Sequence, residues 1–144
     1  MTKEVKDYTD QLVSDISFKG ADLSYMKSLN AKFIDCDFTD AILDFCDFRF
    51  TRFENCIFDN ISFKHTIGDM QNIFSFVIEK YIVSFTATNM CVGCQQKSIK
   101  EWKELDIESL PDDEDKEIWK TYKKPLFEIV DLRLKSLISY LPSV

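Results

Sequence analysis

Bulky apolar residues recur at every fifth position along the first half of the chain. From residue 18 to residue 63 this position holds Phe or Leu, with Ser28 as the one exception. The column consists of Phe18, Leu23, Phe33, Phe38, Leu43, Phe48, Phe53, Phe58 and Phe63. An α-helix repeats its face every 3.6 residues and a β-strand every second residue, so neither element produces a period of five. The period predicts a repeat architecture for this part of the chain.

A second column lies two residues before the first and holds small or apolar side chains. Its members are Ile16, Ala21, Met26, Ala31, Cys36, Ala41, Cys46, Thr51, Cys56 and Ile61. The residue between the two columns is mostly polar, so the unit reads small–polar–bulky–x–x, as in Cys36-Asp37-Phe38-Thr39-Asp40. Ten such units follow one another in register from Ile16 to His65, which is improbable by chance.

These units resemble the pentapeptide-repeat family. The resemblance implies a mainly β fold, a short right-handed quadrilateral β-helix in which four units make one coil. It also implies that the two columns point inward and the other three positions outward. Such a coil sets one small side chain beside each bulky one, which suits the close packing of protein interiors. Ten units at four per coil give about two and a half coils, a stack about 12 Å tall at the ~4.8 Å spacing of paired strands.

The pattern divides the chain into three parts. Residues 1–15 carry Val5, Tyr8 and Leu12 at spacings of three and four, which predicts a short amphipathic N-terminal cap. Residues 16–68 form the predicted β-helix, because the period of five ends there. Residues 69–144 are predicted to form a C-terminal module, a β-hairpin followed by α-helices that cap the solenoid.

The start of the C-terminal module reads as β-structure. Residues 73–86 are rich in β-branched and aromatic side chains and predict a strand. Residues 87–89 predict a turn, and residues 90–94 a short returning strand. Ser98 and Glu101 have the spacing of a capping box, which predicts that a short helix begins here.

A final helical stretch runs from Asp112 to Leu141 and carries one apolar face. Pro125 interrupts it, so we expect a kink or two helices that meet there. This face must be buried, and a closed two-fold dimer is the commonest arrangement of a self-complementary patch. We therefore expect a homodimer built through the C-terminal helices. Its predicted interface consists of Ile118, Tyr122, Leu126, Ile129, Leu134, Leu137 and Ile138.

The tail carries a second resemblance, to a module that follows pentapeptide repeats in proteins of tailed phages and prophages. The matching residues are Val92-Gly93-Cys94-Gln95, Ser98-Ile99, Glu101-Trp102, Trp119 and Tyr122. Lys97 stands where that module usually has His, so no role of the His is carried over. The resemblance implies a phage-encoded protein that acts in the cytoplasm of a bacterial host.

Composition is consistent with that location. The formal net charge is −7, which disfavours direct binding to nucleic acid or to an anionic membrane. Every apolar run is far shorter than the ~20 residues of a membrane span. The first residues contain no apolar signal region, so we expect a soluble, cytoplasmic protein.

The five cysteines do not predict a metal or redox site. An odd number is unlike a secreted disulfide framework. Three of them occupy the small column, where Cys serves as a small apolar residue. Cys91 and Cys94 form a single C-x-x-C, and with only His65 as a further ligand they are too few for zinc. The chain also lacks a nucleophile–base pair and a phosphate loop, so we predict a protein without cofactor or enzymatic activity.

Several outward positions of the repeat hold apolar residues. They are Tyr25, Leu29, Ile42, Phe45 and Phe50. Tyr25 and Phe45 are twenty residues apart and therefore lie one above the other in the implied coil. Contiguous exposed apolar surface marks contact sites. Two interpretations remain open: the C-terminal helices cover this surface, or a partner or second copy of the chain binds it.

Outward acids raise the alternative of DNA mimicry. Asp37, Asp40 and Asp59 share one face with Lys19, and the ten units contain eight acids and six bases. A duplex carries one negative charge per ~1.7 Å of axis, which a short stack of mixed charge does not reproduce. The favoured hypothesis is a non-enzymatic phage protein that binds and blocks a host bacterial protein, such as a defence component, in the manner of an anti-CRISPR inhibitor. The alternative is a DNA mimic that inhibits or protects a type II topoisomerase, DNA gyrase.

Overall fold

The structure of this chain, a computed structural model, describes residues 4–139 and, for side chains, residues 4–136. It divides into two compact units, residues 1–96 and residues 97–144, which are not to be confused with the five-residue units of the repeat. The first unit contains the repeat together with the small sheet that follows it, and the second contains the helices. The end of the repeat at residue 68 is therefore not a boundary between units.

In the repeat, residues twenty positions apart pair in parallel. One ladder contains three strands, β1 (Leu12–Ser14), β2 (Lys32–Ile34) and β3 (Arg52–Glu54). Isolated bridges form the other ladders: Asp7–Lys27, Asp47–Ile67, Ser17–Asp37, Asp37–Ile57, Asp22–Ile42 and Ile42–Ser62. Each ladder position is five residues from the next, so four units make one turn of a β-helix-like coil. The right-handed quadrilateral cross-section remains a prediction.

The coil begins earlier than the sequence predicted. The segment expected to be an amphipathic cap, residues 1–15, contains Asp7, which pairs with Lys27, and the strand β1. Tyr8 and Val13 occupy the bulky position of two further units and pack against the core. Their spacing of five was hidden because the small column is polar in this segment and because Tyr8 and Leu12 also fit a helical period.

Phenylalanine rings fill the coil. The side chains of Phe33, Phe38, Phe48 and Phe63 are completely buried. Rings twenty residues apart lie parallel, as Phe18 and Phe38 do at a centroid distance of 5.1 Å. Rings of neighbouring units meet edge to face, as Phe33 and Phe38 do at 5.6 Å. Both arrangements are favourable for aromatic pairs, so the period of five places a continuous ring network on the coil axis.

The exception at Ser28 is compensated inside the core. Ser28 is buried, and its Oγ lies 2.9 Å from Thr51 Oγ1. The Thr51 hydroxyl also donates to the Ser28 carbonyl at 2.8 Å. Met26, a longer side chain than the Ala or Cys usual in the small column, is buried in the same five-residue unit. The weak unit therefore stays in register.

The last residue of each five-residue repeat unit has a positive φ. These residues are Asp10, Asp15, Gly20, Tyr25, Asn30, Asp35, Asp40, Phe45, Phe50, Asn55, Asn60, His65 and Met70. The left-handed conformation costs a non-Gly residue roughly 1–2 kcal/mol, and least for Asn and Asp. We call these positions the corners of the coil. Asn side chains there also bond to the preceding turn, as Asn55 Nδ2 does when it donates to Asp35 Oδ1 at 2.6 Å.

A four-stranded sheet follows the coil, in the order β4 (Phe74–Ile78), β5 (Tyr81–Phe85), β6 (Asn89–Val92) and β7 (Gln95–Ser98). The strand predicted over residues 73–86 is thus two antiparallel strands. The pair Glu79-Lys80 separates them, and Glu79 has φ 52°. The apolar run around these two charged residues concealed the turn. Residues 89–92 and 95–98 form a second pair of strands where one short return was expected.

Side chains of this sheet close the last turn of the coil. The amide of Gln96 accepts from Phe63 N at 3.0 Å and donates to Ile61 O at 2.7 Å. The hydroxyl of Ser75 accepts from Gly68 N at 2.8 Å and donates to Thr66 O at 3.3 Å. Each side chain therefore binds the backbone groups that a further turn would bind.

The second unit is helical. It contains α1 (Ile99–Lys103), a 3-10 turn (Ile107–Ser109) and α2 (Asp113–Ser139). The predicted capping box is confirmed, because Ser98 Oγ accepts from Glu101 N and Glu101 accepts from Ser98 N. α2 continues through Pro125 as a single helix, so of the two expectations, a kink or two helices, the second is wrong.

Aromatic contacts tie the helices of this unit together. The Trp102 ring on α1 lies 5.5 Å from the Trp119 ring on α2, and Trp119 lies 6.0 Å from Phe127. Within the described residues, no helix has the length and apolar character needed to cross a membrane.

The ring network predicts a large cost for Phe38→Ala. Phe38 is completely buried and stacks on Phe18 and on Phe58, at 5.1 and 5.3 Å. Its removal leaves a ring-sized cavity, so we expect a loss of about 3–5 kcal/mol in the free energy of unfolding. The control is Asp59→Ala at an exposed position, expected to change stability by about 0.5 kcal/mol or less. Urea unfolding measures both, and equal losses would contradict the inward register.

Candidate interaction surface

One corner of the coil carries a column of stacked rings. Tyr25 and Phe45 lie parallel at a centroid distance of 4.8 Å, and Phe45 and His65 follow at 4.9 Å. The three residues are twenty positions apart and share the left-handed conformation of the corner. Tyr25 is 53% exposed and Phe45 47%. The faces of these rings stack on one another, so the column presents ring edges to solvent.

The next corner carries a second apolar ridge. Phe50 is 79% exposed and has φ 63°. Asn30 lies on the same corner one turn earlier, and its N–H donates to the Phe50 carbonyl at 3.1 Å. Met70 is twenty residues further on and is also exposed. A bulky exposed ring in the left-handed region is costly for folding and gains little inside the chain, so it indicates a function.

An open groove of about 560 Å³ lies between the two ridges. It is lined by Thr9, Met26, Lys27, Ser28, Leu29, Phe45, Asp47, Arg49 and Phe50. The groove includes Ser28, the one residue of the bulky column between residues 18 and 63 that is not Phe or Leu. The exception in the sequence period thus coincides with the concave part of the surface.

Charged side chains in the groove are held in place. Arg49 binds Asp47 through Nη2–Oδ2 at 2.6 Å and Nε–Oδ1 at 3.0 Å. The hydrogen bonds from Arg49 lower the pKa of Asp47, so this carboxylate stays charged at neutral pH. Lys27 supplies a further positive charge. The surface therefore combines apolar ridges with an oriented ion pair, a combination suited to a protein partner.

The structure brings most of the predicted contact residues together. Leu29, Phe45 and Phe50 line one groove, and Tyr25 stacks on Phe45 beside it. Ile42 is 37% exposed and lies on the neighbouring ladder, between Asp22 and Ser62.

Sequence reasoning missed His65, Met70 and Arg49. The signal for the first two was the twenty-residue spacing from Phe45 and from Phe50. Arg49 follows Asp47 by two residues, and their spacing alone does not predict an ion pair.

The predicted acidic residues lie elsewhere and support the coil itself. Asp37 Oδ1 accepts from the backbone N and the hydroxyl of Thr39, at 2.9 and 2.5 Å, and these bonds lower the pKa of Asp37. Asp40 accepts from Asn60 Nδ2 at 2.7 Å. Asp59 is exposed. Two of the three carboxylates thus have structural partners in turns and corners.

The cysteines of the small column donate to backbone carbonyls of the preceding turn. Cys46 Sγ lies 3.3 Å from Leu23 O, and Cys56 Sγ lies 3.4 Å from Phe33 O. Thr66 Oγ1 makes the equivalent bond to Leu43 O at 2.7 Å. Cys and Thr therefore make the same bond to the preceding turn from this column.

Cys91 and Cys94 differ in environment. Cys91 is buried and Cys94 exposed, and burial raises the pKa of the Cys91 thiol to about 12. Across residues 4–139, no group of three or more His, Cys, Asp or Glu side chains is arranged to hold a metal ion. The absence of metal and cofactor remains a prediction.

The residues predicted as a dimer interface do not share one exposed face. Leu126 is buried, Ile129 is 51% exposed, and Ile118, Tyr122 and Leu134 are half-buried. The side chains of Leu137 and Ile138 lie outside the described residues. Trp119, Phe127 and Val130 are buried instead. The buried stripe of α2 therefore shares Leu126 with the predicted face but otherwise runs beside it, and Ile129 lies off the stripe.

Comparison with known proteins supports the repeat. Residues 30–66 match the family model for pentapeptide repeats, in eight copies. This segment is similar to that family, which agrees with the β-helix-like coil. Comparisons with curated proteins and with solved structures found no significant match. The phage-type resemblance of the C-terminal module remains a prediction.

The two thiols of the C-x-x-C predict different reactivity. Because the pKa of Cys91 is about 12, its thiol is protonated at pH 8 and the reactive thiolate is scarce. A thiol reagent at pH 8 should therefore label Cys94 first, and Cys94→Ser should remove this fast phase. Cys91→Ser, the matched control, should leave the fast phase unchanged. Fast labelling of Cys91, or one zinc per chain lost in Cys91→Ser, would contradict the structural interpretation.

Proposed function

We propose that this chain is a non-enzymatic protein-binding module whose contact surface is the groove between the Phe45 and Phe50 ridges. The observation that carries the proposal is Phe50, a ring 79% exposed in a left-handed backbone conformation. Pentapeptide repeats generally serve structural or binding roles, which supports the same class of function. A four-sided coil, supported by four ladder positions per turn, would present this groove on one flat side.

Magnitudes support a contact role. Complete burial of a Phe side chain is worth roughly 1.5–3 kcal/mol. Tyr25, Phe45, Leu29 and Phe50 are already partly buried, so covering their remaining exposed surface could supply several kcal/mol toward the free energy of a specific complex. Tyr and Arg are enriched among the residues that dominate binding, and this surface contains Tyr25 and Arg49. The fixed ion pair would set the orientation of the partner.

The partner class we propose is a host bacterial protein. The support is the resemblance of the tail, at Val92-Gly93-Cys94-Gln95 and Glu101-Trp102, to a module of phage proteins. A phage-encoded module that blocks a host protein, such as a defence component, would act in the bacterial cytoplasm. The chain would then inhibit by occupying a surface of its target.

Asn substitutions at the corners test the contact surface. Asn tolerates the left-handed region better than Phe, so Phe50→Asn should leave thermal stability unchanged or raise it. Phe45→Asn gains the same backbone advantage but loses the stacking on Tyr25 and His65, so its free energy of unfolding should change by about 1 kcal/mol or less. The same variants remove the rings, and we expect binding of the captured host protein to weaken at least tenfold. Affinity capture from bacterial lysate, followed by titration of the identified partner, measures this effect.

The matched control is Ile57→Thr, at an exposed apolar position on another ladder. It should bind as the unchanged chain does. If Phe45→Asn and Phe50→Asn capture the same protein with equal affinity, this groove is not the contact surface.

The alternative of gyrase inhibition by DNA mimicry has weaker support. Asp37 and Asp40 have hydrogen-bond partners within the coil, and basic residues accompany the acids. In a supercoiling assay we expect no inhibition of gyrase by this chain, because a mixed-charge surface attracts a DNA-binding groove only weakly at physiological salt. Inhibition that disappears in an Asp37→Asn, Asp40→Asn and Asp59→Asn variant would favour the alternative.

A further inference from the structure

The two ends of the coil are finished differently. At the C-terminal end, Gln96 and Ser75 bind the backbone groups of the last turn. At the N-terminal end, the described residues contain no equivalent closure. Leu12 is 68% exposed there, and Ile16 is 44% exposed although it occupies the inward column. An end of this kind leaves both backbone groups and apolar side chains without a cover.

The direction of the open backbone groups follows from the ladder. At the second position of each unit, both the N–H and the C=O point toward the preceding turn. Lys27 N donates to Lys6 O at 2.9 Å, and Lys27 O accepts from Tyr8 N at 2.8 Å.

In the first turn, Asp7, Leu12 and Ser17 occupy this second position. Their N–H and C=O groups therefore point out of the open end. Among the described residues, only the carbonyl of Asp7 has a partner on this side, Gln11 Nε2 at 3.3 Å.

We propose that two copies of the chain associate head to head by pairing their first turns in an antiparallel register. In this register Leu12 lies opposite Leu12 of the second copy on a two-fold axis. Asp7 then lies opposite Ser17 of the second copy, and Ser17 opposite Asp7. In a hydrogen-bonded antiparallel pair, opposite residues exchange both N–H···O bonds. One register thus satisfies the open groups of all three residues in both copies.

The side chains agree with this register. Each inward position lies opposite an inward position, which places the exposed Ile16 over Tyr8 of the second copy. Three acids lie opposite hydroxyl residues: Asp7 opposite Ser17, Asp10 opposite Ser14, and Asp15 opposite Thr9. No acid of the first turn lies opposite another acid, and the two Leu12 side chains meet on the axis.

A second copy fits this end better than a strand of another protein. A single extended strand could pair with one side of the coil only. A first turn of the same geometry pairs along three sides at once, because the two-fold axis exchanges the sides of Asp7 and Ser17 and keeps the side of Leu12 in place. Self-complementary surfaces of this kind form closed dimers.

A cysteine on the two-fold axis tests the register. In a Cys94→Ser background, Leu12→Cys should form a disulfide between two chains, because Cα atoms of a hydrogen-bonded pair are ~5.5 Å apart. Ser14→Cys is the matched control. Ser14 lies opposite residue 10, so two copies of the new thiol would be roughly 10 Å or more apart. A band of twice the 16.9 kDa chain mass should appear on a non-reducing gel for Leu12→Cys and not for Ser14→Cys.

Charge substitution on the axis provides a second test. We expect the unchanged chain at tens of micromolar to scatter light with twice the chain mass. Leu12→Lys and Leu12→Glu should each halve this mass, since like charges meet on the axis, and an equal mixture of the two should restore it. Circular dichroism would verify that both variants are folded. Val77→Lys, at a comparably exposed apolar residue of β4 in the sheet that follows the coil, should keep the mass of the unchanged chain.

Two results would overturn the proposal. One is a monomer for the unchanged chain at these concentrations. The other is a dimer that persists in Leu12→Lys and is halved by Leu134→Glu, which would place the contact at α2 as the sequence predicted. Neither result bears on the groove at Phe45 and Phe50, so the proposed function is tested separately.

Discussion

Every feature of the coil depends on a turn of twenty residues. Parallel pairing brings each residue over the one twenty positions later, so identical positions of successive units form columns. Inside the coil this produces stacked rings such as Phe18 on Phe38. At the corners it produces the outer column of Tyr25, Phe45 and His65. The core and the candidate surface are thus two consequences of the same backbone constraint.

At the corners, the residues that suit the left-handed backbone differ from the residues that form the candidate surface. Asn and Asp suit the left-handed conformation there, and Asn55 and Asn60 reinforce it with side-chain bonds. Phe45 and Phe50 occupy equivalent positions without that advantage. Their cost is of the order of 1–2 kcal/mol each, a substantial part of the 5–15 kcal/mol stability typical of a domain. A binding role gives a reason for this cost.

The sequence predicted the repeat well, because a period of five is incompatible with helix or strand and Phe marks it at nearly every unit. It predicted the groups at Tyr25, Phe45 and Phe50 for the same reason, since the spacing alone places them. It failed where the signal was local. Tyr8 and Leu12 fit a helical period as well as a coil. Glu79-Lys80 forms a turn inside an apolar run. Pro125 suggested that two helices could meet there, but α2 is a single helix. The Arg49–Asp47 ion pair is visible only in the three-dimensional structure, because the spacing of the two residues does not predict it.

The closure by Gln96 has a consequence for the evolution of length. Its side-chain amide presents one acceptor and one donor, the same pair of groups that the next turn would present to Phe63 and Ile61. Every turn offers these backbone groups in the same places, whatever its side chains. The Gln96 side chain therefore binds backbone groups that any turn of the coil would offer. A duplication of twenty residues ahead of it would add one turn to the coil, and Gln96 would keep the same contacts. The length of the coil could thus change by whole turns of twenty residues without a change in the sequence of the closing sheet.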